Sequence, residues 1–272
     1  MGKNVTIPIH MNIFKKVSGQ GNDVVLMHGW GTNHTFLTPI ADYLSRCHRV
    51  TNIDLPGAGQ SDWSRATETI HDLADQVLPA LPEHACFIAH SMAMPIAVSI
   101  AARYPHRVTK LIGLGGIPKF LADGDWRGFA KPGFVGAFVP LAKEKGLKST
   151  LEEFFSDNEF ADFDPKPEQY HRMVALLNES RLPNIDVLAK GLEICDTVDV
   201  REEFSSLSCP IDLIFGSREH IFGDGGEAAI IAGCEQLKAL AKQTHTHIIS
   251  GGHHYTFWTH TQEVNKLLDQ LV

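Results

Sequence analysis

The sequence predicts an α/β fold, a mostly parallel sheet flanked by helices and interrupted by a helical insertion, and three observations carry that prediction. Short apolar runs alternate with amphipathic stretches, the pattern of parallel strands joined by crossover helices. The alternation stops between about residues 118 and 194, where helical spacing takes over and no strand-like run appears. It then resumes, in a chain of 272 residues that is long enough to bury a sizeable core.

In chain order, strands are expected at residues 24–27, 50–55, 86–89, 108–114, 211–215 and 247–249. Between them, residues 35–46, 67–80, 93–103 and 227–242 read as helices. A last helix is clearest, because Val264, Leu267, Leu268 and Leu271 recur at i, i+3, i+4 and i+7 and should lie on the sheet. Residues 1–117 and 195–272 therefore form the expected core, and residues 118–194 an inserted helical lid. Leu151, Phe154 and Phe155, then Tyr170, Met173, Val174 and Leu177, mark its helices. Gly128, Pro132, Gly133, Gly136 and Pro140 cluster where it begins, which suits a loop-rich cover. Residues 131–148 carry Lys131, Lys143, Lys145 and Lys148 against Glu144, whereas residues 149–168 carry seven acids against Lys166. Two solvated helix faces and a partner-docking surface fit this pattern equally well.

Composition excludes several classes. A net charge of -8 with acids and bases interspersed leaves no basic footprint for nucleic acid. The longest apolar runs, such as 24–27 and 93–102, fall well short of the roughly 18 residues of a membrane span. Five scattered cysteines without a CxxC pair suggest reduced, mostly buried thiols rather than disulfides or zinc. Residues 1–20 have no apolar signal region, so a cytoplasmic protein is expected, and a monomer. Met1 to Thr6 fits the loose myristoylation pattern, and Asn4, Asn33 and Asn178 open sequons that mean little without secretion. Fifteen histidines stand out, and position must decide which of them matter.

Ser91 follows an apolar strand and precedes the helix-forming run Met94 to Arg103, with Pro95 tolerable in a first turn. This is the setting of a nucleophile elbow, G-x-S-x-G in its usual form, here with Ala89 and Ala93 as the small flanking residues. Alone, Ser91 reads equally well as a helix N-cap. Three segments favour the nucleophile. His28-Gly29-Trp30-Gly31 follows the first strong strand, so that the Trp30 N–H and the Met92 N–H can hold an oxyanion. Asp54 to Ser61, DLPGAGQS, is a turn-rich segment after the next strand. Gly251-Gly252-His253-His254 is a glycine turn carrying histidine between the last strand and the last helix, where a general base can reach the serine. The acid that orients the imidazole is read as Glu219, just beyond the strand at 211–215, with Asp199 and Asp224 as alternatives and an Arg218 ion pair as its structural reading. The chain order is then Ser91, Glu219, His254.

These segments, in this order and spacing, resemble the α/β-hydrolase superfamily over nearly the whole chain. A narrower likeness lies beyond the lid: Leu182 to Ile194 followed by Thr197 to Arg201 resembles the return segment of the biotin-pathway esterases of the BioH type. That resemblance implies cleavage of the methyl ester of pimeloyl-acyl carrier protein through an acyl-enzyme, with Ser91 as nucleophile, His254 as base, Trp30 and Met92 as oxyanion donors and Phe154 as an acyl-chain contact. It favours His254 over His253, because Phe257 and His260 then follow at three and six residues as in the family. The chain departs from the family at Ala89, Ala93, Met94 and Glu219, where glycines and an aspartate are usual. It also departs at Ser149 and Glu153, where lid arginines that receive the carrier protein would stand. Lys143, Lys145 and Lys148 are the candidates to replace that patch, as point charges.

The reading is a carboxylesterase on a carrier-bound acyl ester, requiring neither metal nor organic cofactor. Two rivals keep the fold: a carbon-carbon bond hydrolase or lactonase, and a binding protein whose altered elbow no longer turns over. A metal site at His245 and His247, which share one strand face, lacks a carboxylate or cysteine at metal-like spacing.

Overall fold

A computed structural model describes residues 11–130 and 138–272. The Met1 to Thr6 pattern and Lys131, Pro132, Gly133 and Gly136 lie outside the described residues. Seven strands form one sheet: β1 (Lys15–Ser18), β2 (Asp23–Met27), β3 (Arg49–Ile53), β4 (Ala85–His90), β5 (Val108–Leu114), β6 (Ile211–Gly216) and β7 (Thr244–Ile249). Their order is β1-β3-β2-β4-β5-β6-β7, with β1 antiparallel to β3 and every other pairing parallel. The six sequence-predicted strands are β2 to β7. The reading missed β1, whose residues KKVS carry no apolar run and are mostly exposed, as suits an edge strand that lysines protect from further pairing. It also placed the start of the last strand three residues late, because Thr244 to Thr246 alternate polar residues along the other edge.

The inner strands are buried on both faces, which is why they read as continuous apolar runs. Successive residues serve opposite cores. Val25, Met27, Phe87, Leu111 and Leu213 pack under α2 (Ile70–Val77), α3 (Ala93–Arg103), α8 (Arg201–Ser206) and α9 (Gly226–Leu240), whereas Val24, Leu26, Ile88, Ile112 and Ile214 face α1 (Thr38–Leu44) and α11 (Thr261–Leu271). The stretch read as one helix at 35–46 is a 3-10 turn, His34–Leu37, leading into α1, with Pro39 in the first turn of the α-helix.

Between β5 and β6 the chain leaves the sheet. Residues 119–130 are irregular, stitched by isolated bridges Leu121 to Phe129 and Asp123 to Trp126, so this part of the expected all-helical insertion is not helical. Helices α4 (Phe138–Lys145), α5 (Leu147–Phe154), α6 (Glu168–Glu179) and α7 (Ile185–Thr197) follow. Leu151, Phe155, Met173 and Leu177 dock into the same apolar cluster as α1 and α11, and Ile194 and Cys195 into the other. Asn184 caps α7 by accepting from the Asp186 and Val187 N–H groups. A short α10 (Thr256–Thr259) precedes α11. Among the described residues no helix is long and apolar enough to cross a membrane. All five cysteines are free, and only Cys47 is exposed.

Candidate active site

The HGWG turn, Ser91, Glu219 and His254 lie beyond the carboxyl ends of β2, β4, β6 and β7, where open parallel sheets carry their sites. Ser91, directly after β4, has φ 52°, and among the described residues it is the only non-glycine in the left-handed region. That conformation costs a side-chain-bearing residue about 1–2 kcal/mol, so the surroundings must enforce it. They do. The Ser91 N–H donates to the Leu114 carbonyl at 2.9 Å, and the Met94 N–H closes the turn on the Ser91 carbonyl at 2.9 Å. An ordinary N-cap serine would be extended, as Thr69 and Asn184 are at their helices.

At the elbow, the room for Met94 comes from the end of β5. Ala89 and Ala93 are fully buried. Met94 is fully buried too, and its side chain occupies the space over Gly113 and Gly116: a Cβ at Gly116 would lie 2.4 Å from the Met94 Cβ, and one at Gly113 would lie 3.1 Å from its sulfur. Glycines at the facing strand end leave the room that Met94 fills. Met94 therefore fills core and does not line the cavity beside Ser91.

On the other side of Ser91, Gly29 lets the β2 turn press against the elbow, since a Cβ there would lie 2.7 Å from His90 Nδ1 and 3.0 Å from the Ser91 Cβ. Trp30 follows, its indole N–H donating to the Leu188 carbonyl at 2.9 Å while Gly191 of α7 leaves room for the ring. His28 is a brace. It donates from Nδ1 to the Gly29 carbonyl at 2.8 Å and accepts the Leu55 N–H at Nε2 at 2.9 Å, and burial pushes its pKa down to about 4. It thereby ties the HGWG turn to the DLPGAGQS turn. Within that turn buried Asp54 accepts from the His34 and Gln60 N–H groups and from His34 Nδ1.

His254 Nδ1 donates to Glu219 Oε1 at 2.5 Å. Three glycines make the approach feasible. A Cβ at Gly115, which has φ 57°, would lie 2.8 Å from both Glu219 Oε1 and His254 Nδ1, and one at Gly216 would collide with the Gly252 carbonyl. Two hydrogen bonds stitch the loops: Arg218 N–H to the Gly252 carbonyl, and Gly251 N–H to Ser217 Oγ, each at 2.9 Å. Burial works against protonating His254, but the charge and hydrogen bond of Glu219, with Glu159 beyond, raise its pKa above the ordinary histidine value. Its side chain keeps 26% exposure, and it lines the cavity.

The alternatives are engaged elsewhere. His253 turns to Asp162 at 3.2 Å. Asp199 is bound by Arg201 and Lys119, hydrogen bonds that outweigh burial and hold its pKa down at about 2. Asp224 lies 4.0 Å from His220 at the cavity wall. Arg218 pairs with Asp162 rather than with Glu219, which is 3% exposed. His247 binds Asp212 at 2.7 Å, and among the described residues no three His, Cys, Asp or Glu side chains form a metal-holding group.

Ser91, Met92, Trp30, Phe154, Glu219 and His254 all border one cavity of about 330 Å³ between lid and sheet. Lys143, Lys145 and Lys148 do not. All three are exposed on the outer lid; Lys145 pairs with Glu153 at 3.0 Å, and Lys148 donates to the Asn178 carbonyl. Sequence reasoning missed Glu159, an acid in the same cavity. The signal was present: Leu151, Phe155 and Glu159 are spaced by four and share a buried helix face, on which an acid is out of place.

The alpha/beta hydrolase fold family model matches residues 23–261. The pimeloyl-[acyl-carrier protein] methyl ester esterase of Vibrio campbellii is 35% identical over 75% of this chain and 79% of its own length. The protein of the same name from Vibrio cholerae is 30% identical over 96% of this chain and 97% of its own. Among solved structures, an esterase from Exiguobacterium antarcticum superposes with a TM-score of 0.78 at 18% identity, covering 96% of this chain and 95% of that one, a likeness of fold.

Proposed function

The chain belongs to the α/β-hydrolase family and, within it, to the pimeloyl-[acyl-carrier protein] methyl ester esterases, and from that premise we propose how its residues cleave such an ester in biotin synthesis. Ser91 Oγ attacks the ester carbonyl while His254 Nε2 takes its proton. The tetrahedral oxyanion is held by the Trp30 and Met92 N–H groups. Protonated His254, stabilised by Glu219, returns the proton to the leaving methoxide, and methanol departs from the acyl-enzyme. Water, deprotonated by the same imidazole, then releases the free acid and Ser91.

The observation that carries this reading is the strained Ser91 turn in one cavity with an imidazole held by a buried carboxylate. Glutamate serves in the acid's place because the β6 and β7 loops fix its backbone through Gly216 and Gly252, and its longer side chain spans the remaining gap to Nδ1. Phe154 supplies an apolar wall for the acyl chain. The carrier protein docks outside on the lid, with exposed Lys143 as the first candidate contact; Lys145 and Lys148 would have to exchange the partners they hold. The enzyme acts in the cytoplasm as a monomer, without metal or organic cofactor.

The experiment is to present methyl pimeloyl-carrier protein and small aryl esters to the same preparation. The reading expects the carrier substrate to have the higher kcat/KM. Equal or better turnover of the aryl esters, with no loss on replacing the three lysines, contradicts carrier docking.

A further inference from the structure

The lid contributes a second carboxylate to the base loop. α5 runs into a wider turn, Phe155–Glu159, closed by the Phe160 N–H on the Phe155 carbonyl at 3.0 Å, a five-residue spacing of the kind found at functional sites. Phe155 anchors this turn, its ring 5.9 Å from Phe36 and 5.2 Å from Tyr255. Glu159 ends it, 2% exposed, accepting the Tyr255 N–H at Oε2 at 2.8 Å. Asp162, three residues on, pairs with Arg218 of the acid loop and His253 of the base loop. One lid turn thus grips both loops that carry the acid and the base.

A buried carboxylate is costly unless something offsets it, and a glutamine could accept the Tyr255 N–H as well. The charge that favours ionised Glu159 is the one His254 carries when protonated. Burial pushes the Glu159 carboxyl up to about 7, against the His254 charge and the Tyr255 N–H, with the Glu219 charge adding to the rise. The groups facing this pair are Glu219 from the β6 loop, Tyr255 from the base loop and His90 from β4, whose ring lies 4.7 Å from that of His254. His90 stays neutral, because burial drives its pKa well below the ordinary value.

We propose that Glu159 is a second positioning residue for His254, holding the base loop from the lid side while Glu219 holds the ring from the sheet side. It touches no reacting atom. It fixes the backbone that carries the imidazole and, when ionised, favours the imidazolium formed as Ser91 gives up its proton. The base is complete only with the lid seated. This rests on Ser91 as nucleophile and His254 as base.

The test is the rate at which a fluorophosphonate labels Ser91 from about pH 5 to about pH 9 in the full-length protein, in wild type, Glu159→Gln and Glu159→Ala, with folding followed by circular dichroism. Glu159→Gln keeps an acceptor for Tyr255 and should stay within about three-fold of the wild-type plateau, while its acidic limb moves to lower pH by about half a unit, because removing a negative charge lets His254 lose its proton earlier. Glu159→Ala should lose about ten-fold at the plateau. A merely structural slot would leave the acidic limb of Glu159→Gln where it is, and that outcome overturns the proposal even if Glu159→Ala fails to fold. An unlabelled wild type overturns the esterase reading and this inference with it; a labelled wild type matched by both variants overturns this inference alone.

Discussion

The core and the lid hold their parts of the site in different ways. In the core, the elbow and the Glu219 and His254 loops are held by hydrogen bonds in which the backbone takes part and by glycines at close approaches, Gly29, Gly115, Gly216 and Gly252, while the His28 ring braces the HGWG turn against backbone groups. In the lid, the residues that reach the site do so through side chains on α5 and the turns that follow it: Phe154 bordering the cavity, Glu159 on the Tyr255 N–H, Asp162 on Arg218 and His253. Backbone geometry tolerates almost no substitution. Side-chain contacts can be exchanged one at a time while the helices stay, so on the proposed mechanism the core would set the chemistry and the lid would tune which ester enters and how well the base is held.

The largest effects should come from the core. Ser91→Ala should lower kcat by about a million-fold and abolish fluorophosphonate labelling, measured against an aryl ester. Glu219→Gln should cost about a thousand- to ten-thousand-fold in kcat, because the imidazole loses the partner that fixes its tautomer, while Asp199→Asn should leave kcat unchanged. Loss on Asp199→Asn together with retention on Glu219→Gln would erase the distinction between the β6 loop and the far side of the lid. Lid effects should be smaller and selective. Phe154→Ala should raise KM for a long-chain methyl ester about ten-fold and leave a small aryl acetate almost unaffected, since an aromatic wall that an acyl chain covers contributes about 1–3 kcal/mol of apolar contact. Equal losses on both substrates would place Phe154 with the core machinery instead.

The smallest effect concerns stability. The Glu159 carboxyl is raised in the folded state, so its contribution is fully present below the ordinary glutamate value and is lost as pH rises through about 7. Wild type should therefore lose a few degrees of Tm relative to Glu159→Gln between about pH 5 and pH 8, at roughly 2–4 °C per kcal/mol for a chain of this size. Parallel Tm profiles would remove the buried charge from the account.

What was legible in the sequence follows the same division. Strands buried on both faces announce themselves as apolar runs, and glycine turns after them mark where chemistry can sit, so position alone places Ser91, Glu219 and His254 at one end of the sheet, where they border one cavity. β1 was invisible because an edge strand buries little, and its lysines read as loop. The role of Met94 was illegible for a different reason: whether it narrows the pocket depends on Gly113 and Gly116, residues on a strand whose partner the sequence does not name. In the lid, the acid-rich stretch 149–168 reads as a solvated face, and only the helical spacing of Glu159 with Phe155 and Leu151 separates the one buried acid from its exposed neighbours.

The most direct test of the division is mass spectrometry of methyl pimeloyl-carrier protein after incubation with wild type and with Ser91→Ala. The account predicts that wild type converts the ester to the free acid, one methylene lighter, with release of methanol, and that Ser91→Ala leaves it intact. A carrier substrate left unchanged by a wild-type protein that hydrolyses aryl esters and is labelled at Ser91 would contradict it.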